Sequence, residues 1–181
     1  APQTSHLHKI DDYWELSSQG EQAYREADFI FRSQDPEEYR WNFPPRGDSL
    51  DLEPLLKLVH LIDPRTTSEK AFDERVEKLV DADEWIRVLA ARTLADDWDT
   101  MGRTRGKNAF IYLAPEDHRW RLLPWDCDLA WQQNPNAPLF SGKFSGIQRL
   151  LARPQYRRRF LGYIAFLAER TRPETAPAGI A

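Results

Sequence analysis

Four aspartates and one asparagine between positions 97 and 128 are the side chains best suited to do chemistry. They form two Asp-X-Asp pairs, Asp97 with Asp99 and Asp126 with Asp128, and Asn108 lies between the pairs. Carboxylate and amide oxygens are the ligands that Mg²⁺, Mn²⁺ and Ca²⁺ prefer. In the alternative interpretation, all five residues lie at turns and helix ends and only accept hydrogen bonds from backbone N–H groups. The pattern therefore predicts either a cation site or a structural acidic cluster.

A helix and a β-hairpin must position these residues. Apolar residues at helical spacing along 86–94 predict a helix that ends at the first pair. Two β-prone runs separated by turn residues predict a hairpin near 109–123, which presents Asp126 directly after its second strand. Side chains two apart share a face on a strand but diverge at a helix end. The local structure thus decides whether each Asp pair acts together.

The remaining pattern is mostly helical. Apolar periodicity predicts further helices over 52–60, 66–78, 146–152 and 154–170, with Ser68 or Thr67 and Asp81 or Asp83 as possible N-caps. Residues 10–43 lack a sustained period and predict a loop-rich segment with short strands. We therefore expect an α+β fold in one domain, residues 1–171, followed by a disordered tail, residues 172–181.

Composition excludes several classes of partner. The 181 residues carry a net charge of −4, which offers nucleic acid no basic field. No apolar run reaches the length of a membrane span, so no span is predicted. The single cysteine, Cys127, excludes an internal disulfide and stands between two acids, where we expect a small packed residue. His6 and His8 alternate as a metal pair would, but no third ligand accompanies them.

Four segments follow one another in an order that is more specific than any one of them. They are residues 80–87 (VDADEWIR), 97–99 (DWD), 108–113 (NAFIYL) and 123–130 (LPWDCDLA). In this order they resemble the CotH family of protein-kinase-like proteins, first associated with bacterial spore coats. The resemblance is good over 81–131 and weaker through 149–167 and at residues 9–12 (KIDD).

The resemblance implies a protein-kinase-like large lobe and an atypical kinase. Such an enzyme uses ATP and Mg²⁺ or Mn²⁺ to phosphorylate Ser or Thr of a protein substrate. By the same resemblance, Asp99 matches the acid beside the acceptor hydroxyl and Asp126 the metal-binding acid. It also implies a bacterial spore-coat, cell-surface or exported setting, which the composition does not test.

Neighbouring polar residues complete the expected site. Asn108 is a plausible second metal ligand, since kinases pair an Asp with an Asn there. Asp128 would join Asp126 if the two share a face. Arg103, Arg105 and Lys107 lie between Asp99 and Asn108, where basic side chains would meet phosphate oxygens or an acidic substrate. We expect Arg103 and Lys107 to contact the phosphates of ATP.

The front of the chain departs from the kinase pattern. It has no glycine-rich stretch, and Lys9 is the one lysine in its first ten residues. We therefore expect an N-terminally incomplete kinase domain or a degenerate member, whose activity would require the missing lobe. The alternative is a non-catalytic spore-coat or surface interaction module with a cation-binding or purely structural acidic site. A carboxylate-based hydrolase that uses two of the aspartates is a third hypothesis.

Overall fold

The computed structural model describes residues 5–131, 136, 138–140 and 145–171. The predicted mixture of helices with a hairpin near 109–123 is confirmed, and both sheets are small and antiparallel. The described elements run in the order β1 (His6–Ile10), β2 (Tyr13–Leu16), β3 (Gln22–Arg25), a 3-10 helix (Pro36–Tyr39), α1 (Glu53–Ile62), α2 (Glu69–Leu79), α3 (Ala82–Leu94), β4 (Ala109–Leu113), β5 (Trp120–Pro124), α4 (Ser145–Leu151) and α5 (Pro154–Arg170).

The helices begin and end at residues that the sequence marks. The Ser68 side chain caps α2 by accepting from the Ala71 N–H, and Asp81 caps α3 by accepting from the Glu84 N–H. Asp63 ends α1, where its carboxylate accepts from the backbone N–H groups of Phe31 and Arg65. The side chain of Asp63 thereby joins the end of α1 to the segment before the 3-10 helix.

The chain's first strand completes the main sheet, which the sequence pattern did not predict. The strand order is β1-β4-β5, with His8 opposite Ile111 and Ile111 opposite Leu122. Strands β2 and β3 form a separate hairpin directly after β1. This connection carries the residues between β1 and β2 to the end of the sheet at which β4 begins.

Two buried tryptophans fix the β4–β5 hairpin to α3. Trp85 and Trp120 are almost fully buried, and the Trp85 indole N–H donates to the Trp120 carbonyl at 3.0 Å. A buried aromatic side chain removes a large apolar area from water, and its polar atom needs a partner there. Helix α3 also packs along α5 and against β5, so these contacts position the end of α3 relative to the end of β5.

The basic residues of the last two helices are partly structural. Arg149 is buried and donates to the carbonyls of Leu61 and Thr67, while its guanidinium lies 4.3 Å from the centre of the Phe72 ring. The predicted disordered tail, 172–181, lies outside the described residues. None of the helices in the described part of the chain has the length and apolarity needed to cross a membrane.

Candidate functional site

A closed loop between α3 and β4 carries the first Asp pair. The Met101 N–H donates to the Lys107 carbonyl at 2.9 Å, and the Asn108 side-chain amide donates to the Asp99 carbonyl at 2.7 Å. Asn108 has a φ of 59°, a left-handed conformation that Asn tolerates better than most residues. At Gly106 a Cβ would lie 2.5 Å from the carbonyl oxygen of Ala27, so the loop packs there against backbone.

Asp99 is buried, and one of its oxygens is bound on two sides. Its Oδ2 accepts from the Asn108 amide at 3.1 Å and lies 3.0 Å from the Lys107 ammonium. Its Oδ1 has Arg105 Nε at 3.8 Å and makes no hydrogen bond within the described residues. Burial alone would lower the pKa of Lys107, but the hydrogen bond and charge of Asp99 raise it above its usual value. Asp99 and Asn108 are thus in direct contact, and Oδ1 of Asp99 is the oxygen still able to accept.

Asp12, from the connection between β1 and β2, also reaches this cluster. Its Oδ2 accepts from the Tyr24 hydroxyl and lies 3.4 Å from the Arg105 guanidinium. The Tyr24 hydroxyl in turn accepts from Arg105 at 2.8 Å. Burial raises the pKa of the Asp12 carboxyl, while the charges of Lys107 and Arg105 act against that shift. The sequence pattern gave no signal for Asp12 beyond its place in a segment shared with the family.

Asp97 and Asp99 have different partners, although only one residue separates them. Asp97 is buried against the Arg92 guanidinium, with 2.5 Å between Oδ2 and NH2. Burial raises the pKa of Asp97; the ion pair with Arg92 opposes the shift, and the charge of Asp99 adds to it. Arg92 also donates to the carbonyls of Trp125 and Asp126, at 2.8 and 3.2 Å. One arginine therefore joins the two Asp pairs.

The second Asp pair is exposed, in contrast to the first. Asp126 has a φ of 50°, and its carboxylate makes no hydrogen bond or ion pair with any described residue. The preceding Trp125 N–H donates to the Asn108 carbonyl at 3.3 Å, which places Asp126 one residue beyond the Asn108 backbone. Asp128 is also exposed and lies near enough for its charge to contribute to the raised pKa of Asp97.

The environments of Arg103 and Cys127 differ from those expected from the sequence. Arg103 is buried against Asp96, 3.1 Å away, and donates to the Pro138 carbonyl, so it is not among the residues that contact Asp99 in the described structure. Cys127 was expected to be packed, and this expectation is wrong: the residue is exposed, with its sulfur 3.1 Å from Arg92. The left-handed turn at Asp126 takes the chain out of the strand, so Cys127 is not covered.

The donors near Asn108 are compatible with a hard cation. The Asn108 amide nitrogen donates to the carbonyl and to Oδ2 of Asp99. The amide oxygen, together with the Asp126 carboxylate that has no partner among the described residues, is left as an oxygen donor. Mg²⁺ in nucleotide sites takes one or two carboxylates and completes its shell with water and phosphate oxygens. Within the described residues no three His, Cys, Asp or Glu side chains are arranged to hold a metal. The chain's own donors thus suit an ion that arrives with a phosphate ligand.

The histidine pair at the start of β1 is not arranged as a metal site. His8 is buried, its Nδ1 lies 3.1 Å from the Phe43 carbonyl, and its ring packs against Trp120. Burial lowers the pKa of His8 to about 4, with the Phe43 carbonyl acting against the shift. A neutral imidazole in this position packs as part of the core.

Comparison with known protein families identifies the chain's relatives. A family model described as "CotH kinase protein" matches residues 3–171, nearly the whole chain. The chain therefore belongs to the CotH kinase family, as the order of its motifs predicted. Curated proteins provide no match to it.

Proposed function

We propose that this protein is a CotH-type protein kinase with a protein-kinase-like large lobe, which transfers phosphate from ATP to Ser or Thr of a protein. The observation that carries the proposal is the contact between Asp99 and Asn108 beside the exposed carboxylate of Asp126. Phosphoryl transfer in kinases uses one carboxylate at the acceptor hydroxyl and another at the metal. The buried Asp99 and the exposed Asp126, whose carboxylate has no partner within the described residues, suit these two roles.

Asp99 acts on the acceptor hydroxyl. Its Oδ2 is fixed by Lys107 and Asn108, so Oδ1 accepts the hydrogen bond from the Ser or Thr hydroxyl. The hydroxyl oxygen forms a bond to the γ-phosphorus as the bond to the β,γ-bridging oxygen breaks. The hydroxyl proton passes to Asp99, and ADP leaves with the bridging oxygen.

Asp126 and the amide oxygen of Asn108 would hold the divalent cation, Mg²⁺ or Mn²⁺, with Asp128 beside them. When bound, such an ion would supply positive charge to neutralise the phosphate charge that develops as ATP is cleaved. Lys107 lies beside Asp99 and can direct its ammonium to a phosphate oxygen, since a cation at 3.0 Å from Asp99 is within reach of a group bound there. Arg103 would have to break its ion pair with Asp96 before it could contact a phosphate of ATP.

A second candidate function, a non-catalytic surface or spore-coat interaction module, is favoured by two observations. Lys107 and Asn108 already satisfy one oxygen of Asp99, as in a structural ion pair. The β2–β3 hairpin and the turn after the 3-10 helix also expose large apolar side chains. Trp14, Leu16 and Trp41 are each more than 60% accessible. Exposed aromatic surface of this kind is typical of a protein contact.

Transfer of labelled γ-phosphate from ATP separates the two functions. The chain would be incubated with Mg²⁺, labelled ATP and Ser- and Thr-containing peptides, and binding of ATP with and without Mg²⁺ would be measured by calorimetry. We expect transfer that falls at least 100-fold in Asp99→Asn, because the general base is lost. The control is Glu116→Gln, an exposed acid in the turn between β4 and β5, at the end of that hairpin opposite Asn108.

Each outcome decides between the functions. Transfer that is unchanged in Asp99→Asn and in Asp126→Ala would refute the assigned roles. Absence of both transfer and Mg²⁺-dependent ATP binding, in the folded wild-type chain and in a folded form extended at its N-terminus, would favour the interaction module. Loss of transfer with unchanged ATP binding in Asp99→Asn would support the proposal directly.

A further inference from the structure

A cavity of about 230 Å³ lies between α3, the loop that follows it, α4 and the first half of α5. The side chains of Asp99, Asn108 and Asp126 do not line it. Gly102, with a φ of +83°, forms part of its wall, and a Cβ there would meet the Leu89 side chain at 2.8 Å. Apolar side chains form most of the remaining wall: Leu89, Met101, Phe140, Ile147, Leu151 and Phe160.

The volume sets the size of a possible ligand. An apolar cavity of about 150 Å³ accepts benzene, so this cavity suits an apolar body of roughly ten non-hydrogen atoms. Its walls are the kind of surface that hydrocarbon fills favourably, since each buried CH₂ contributes about 0.8 kcal/mol. Water would find few partners along the apolar part of the wall.

Charge at the cavity determines the ligand's head group. Three guanidinium groups line it, and two are matched by carboxylates: Arg92 by Asp97 at 2.5 Å and Arg103 by Asp96 at 3.1 Å. Arg157 is exposed, lies 4.3 Å from the centre of the Phe140 ring and has no carboxylate partner in the described part of the chain. The cavity therefore has one unmatched positive charge at its edge, which complements a single negative charge.

We propose that this cavity binds a small apolar monocarboxylate, with its hydrocarbon among the apolar side chains and its carboxylate on Arg157. Guanidinium groups bind carboxylates through charge-assisted hydrogen bonds. Met101 and Arg103 belong to the loop that carries Asp99, so a bound ligand would contact that loop. The site does not depend on the kinase function.

Met101 provides a specific reporter, because it is the chain's single methionine. Its ¹³C-labelled methyl group would be followed by NMR during titration with octanoate, octanol and octylammonium, which share one chain length and differ in charge. We expect octanoate to shift the Met101 signal in a saturable way, at concentrations below its self-association, and to bind roughly 10-fold more tightly than octanol. Octylammonium should bind more weakly than octanol, because Arg157 repels it.

Separate substitutions test whether the ligand binds in this cavity and whether Arg157 binds its carboxylate. Leu151→Trp, at the end of α4, should fill the cavity and abolish the saturable shift, whereas Leu161→Trp, on an exposed face of α5, should leave it unchanged. Arg157→Gln should weaken octanoate roughly 10-fold with no change for octanol. Equal binding of octanoate and octylammonium, a shift that persists in Leu151→Trp, or no shift with any probe would overturn the proposal. Arg157 is exposed, so its variant should fold and keep the charge test valid.

Discussion

The two Asp-X-Asp pairs have the same spacing but opposite environments. In the first pair Asp97 and Asp99 are buried, and cations or amides contact both carboxylates. In the second pair Asp126 and Asp128 are exposed, and the Asp126 carboxylate has no partner among the described residues. The first pair is part of the scaffold as well as of the site, whereas Asp126 is held by its backbone alone. Identical motifs therefore predict different consequences of substitution.

The largest effect should come from Arg92, the residue that joins the two pairs. Arg92→Leu leaves the Asp97 charge buried without its cation and removes the donors to the Trp125 and Asp126 carbonyls. Removing one partner of a buried pair is strongly destabilising, and we expect a loss of about 3 kcal/mol in the free energy of unfolding. Urea denaturation followed by tryptophan fluorescence would measure it.

Arg87 is the matched control for Arg92, because it lies on the same helix and pairs with Asp83 at the surface, 3.4 Å away. Exposed pairs contribute little, so Arg87→Leu should cost less than about 1 kcal/mol. Equal losses for the two arginines would show that Arg92 does not join the pairs in the way its contacts indicate.

The cluster around Asp99 should extend to Asp12, with a smaller effect. Asp12→Asn removes a charged acceptor from Tyr24 and Arg105, and we expect a loss of about 1 kcal/mol in the free energy of unfolding. Tyr24→Phe should cost a similar amount. The double variant should lose less than the sum, because both substitutions break one shared hydrogen bond. Strict additivity of the two losses would separate Asp12 from the cluster.

Local features of the fold could be predicted from the sequence, because they depend on short-range patterns. Capping by Ser68 and Asp81 and the β4–β5 hairpin follow from neighbouring residues. The pairing of β1 with β4 depends on residues about a hundred positions apart, which a periodicity cannot register. Asp12 enters the cluster only through that pairing, and for this reason the pattern did not identify it.

The sequence predicted the candidate acids but not their partners. It assigned Asp99 and Asn108 separate roles, whereas the structure shows them in contact through a left-handed backbone at Asn108. Arg92 gave no signal, because an arginine in a helical pattern is usually solvated. Here it is buried against Asp97 and the residues that follow β5. Long-range burial, and not residue type, determines these contacts.

Substitution of Asp97 removes the other partner of the buried Arg92–Asp97 ion pair, and its effect on stability should depend on pH. The folded protein keeps the Asp97 proton to a higher pH than the unfolded chain, whose ordinary aspartate pKa is about 4. The stability associated with this raised pKa is present below about pH 4 and is lost as the pH rises through the folded value. Asp97→Asn cannot ionise, so it should become more stable relative to wild type between pH 4 and pH 7.

At pH 7 we expect Asp97→Asn to change the free energy of unfolding by less than about 1 kcal/mol. This effect is smaller than that of Arg92→Leu because the guanidinium keeps its carbonyl acceptors at Trp125 and Asp126. Thermal unfolding at several pH values would measure both the difference in stability at pH 7 and its dependence on pH. A variant whose stability falls relative to wild type as the pH rises would contradict the raised pKa.

The smallest effect on stability should be at Asp126, where the effect on ligand binding should be large. Asp126→Asn removes no hydrogen bond or ion pair of the described residues, and Asn also tolerates the φ of 50°, so stability should stay within about 0.5 kcal/mol of wild type. The Mg²⁺-dependent part of ATP binding should fall at least 10-fold, because the proposed ion loses its charged ligand. Calorimetry with ATP alone and with ATP and Mg²⁺ together would separate the Mg²⁺-dependent part of ATP binding from the part that needs no cation.

Asp97→Asn is the internal comparison for that measurement, since it removes the same charge from the buried pair. If Asp97→Asn weakens Mg²⁺-dependent binding as much as Asp126→Asn does, the two pairs act as one acidic field and the assignment to Asp126 is wrong. If only Asp126→Asn weakens it, at unchanged stability, the exposed carboxylate binds the ion directly. The difference in burial between the pairs would then correspond to a difference in role: Asp97 maintains the loop, and Asp126 binds the ligand.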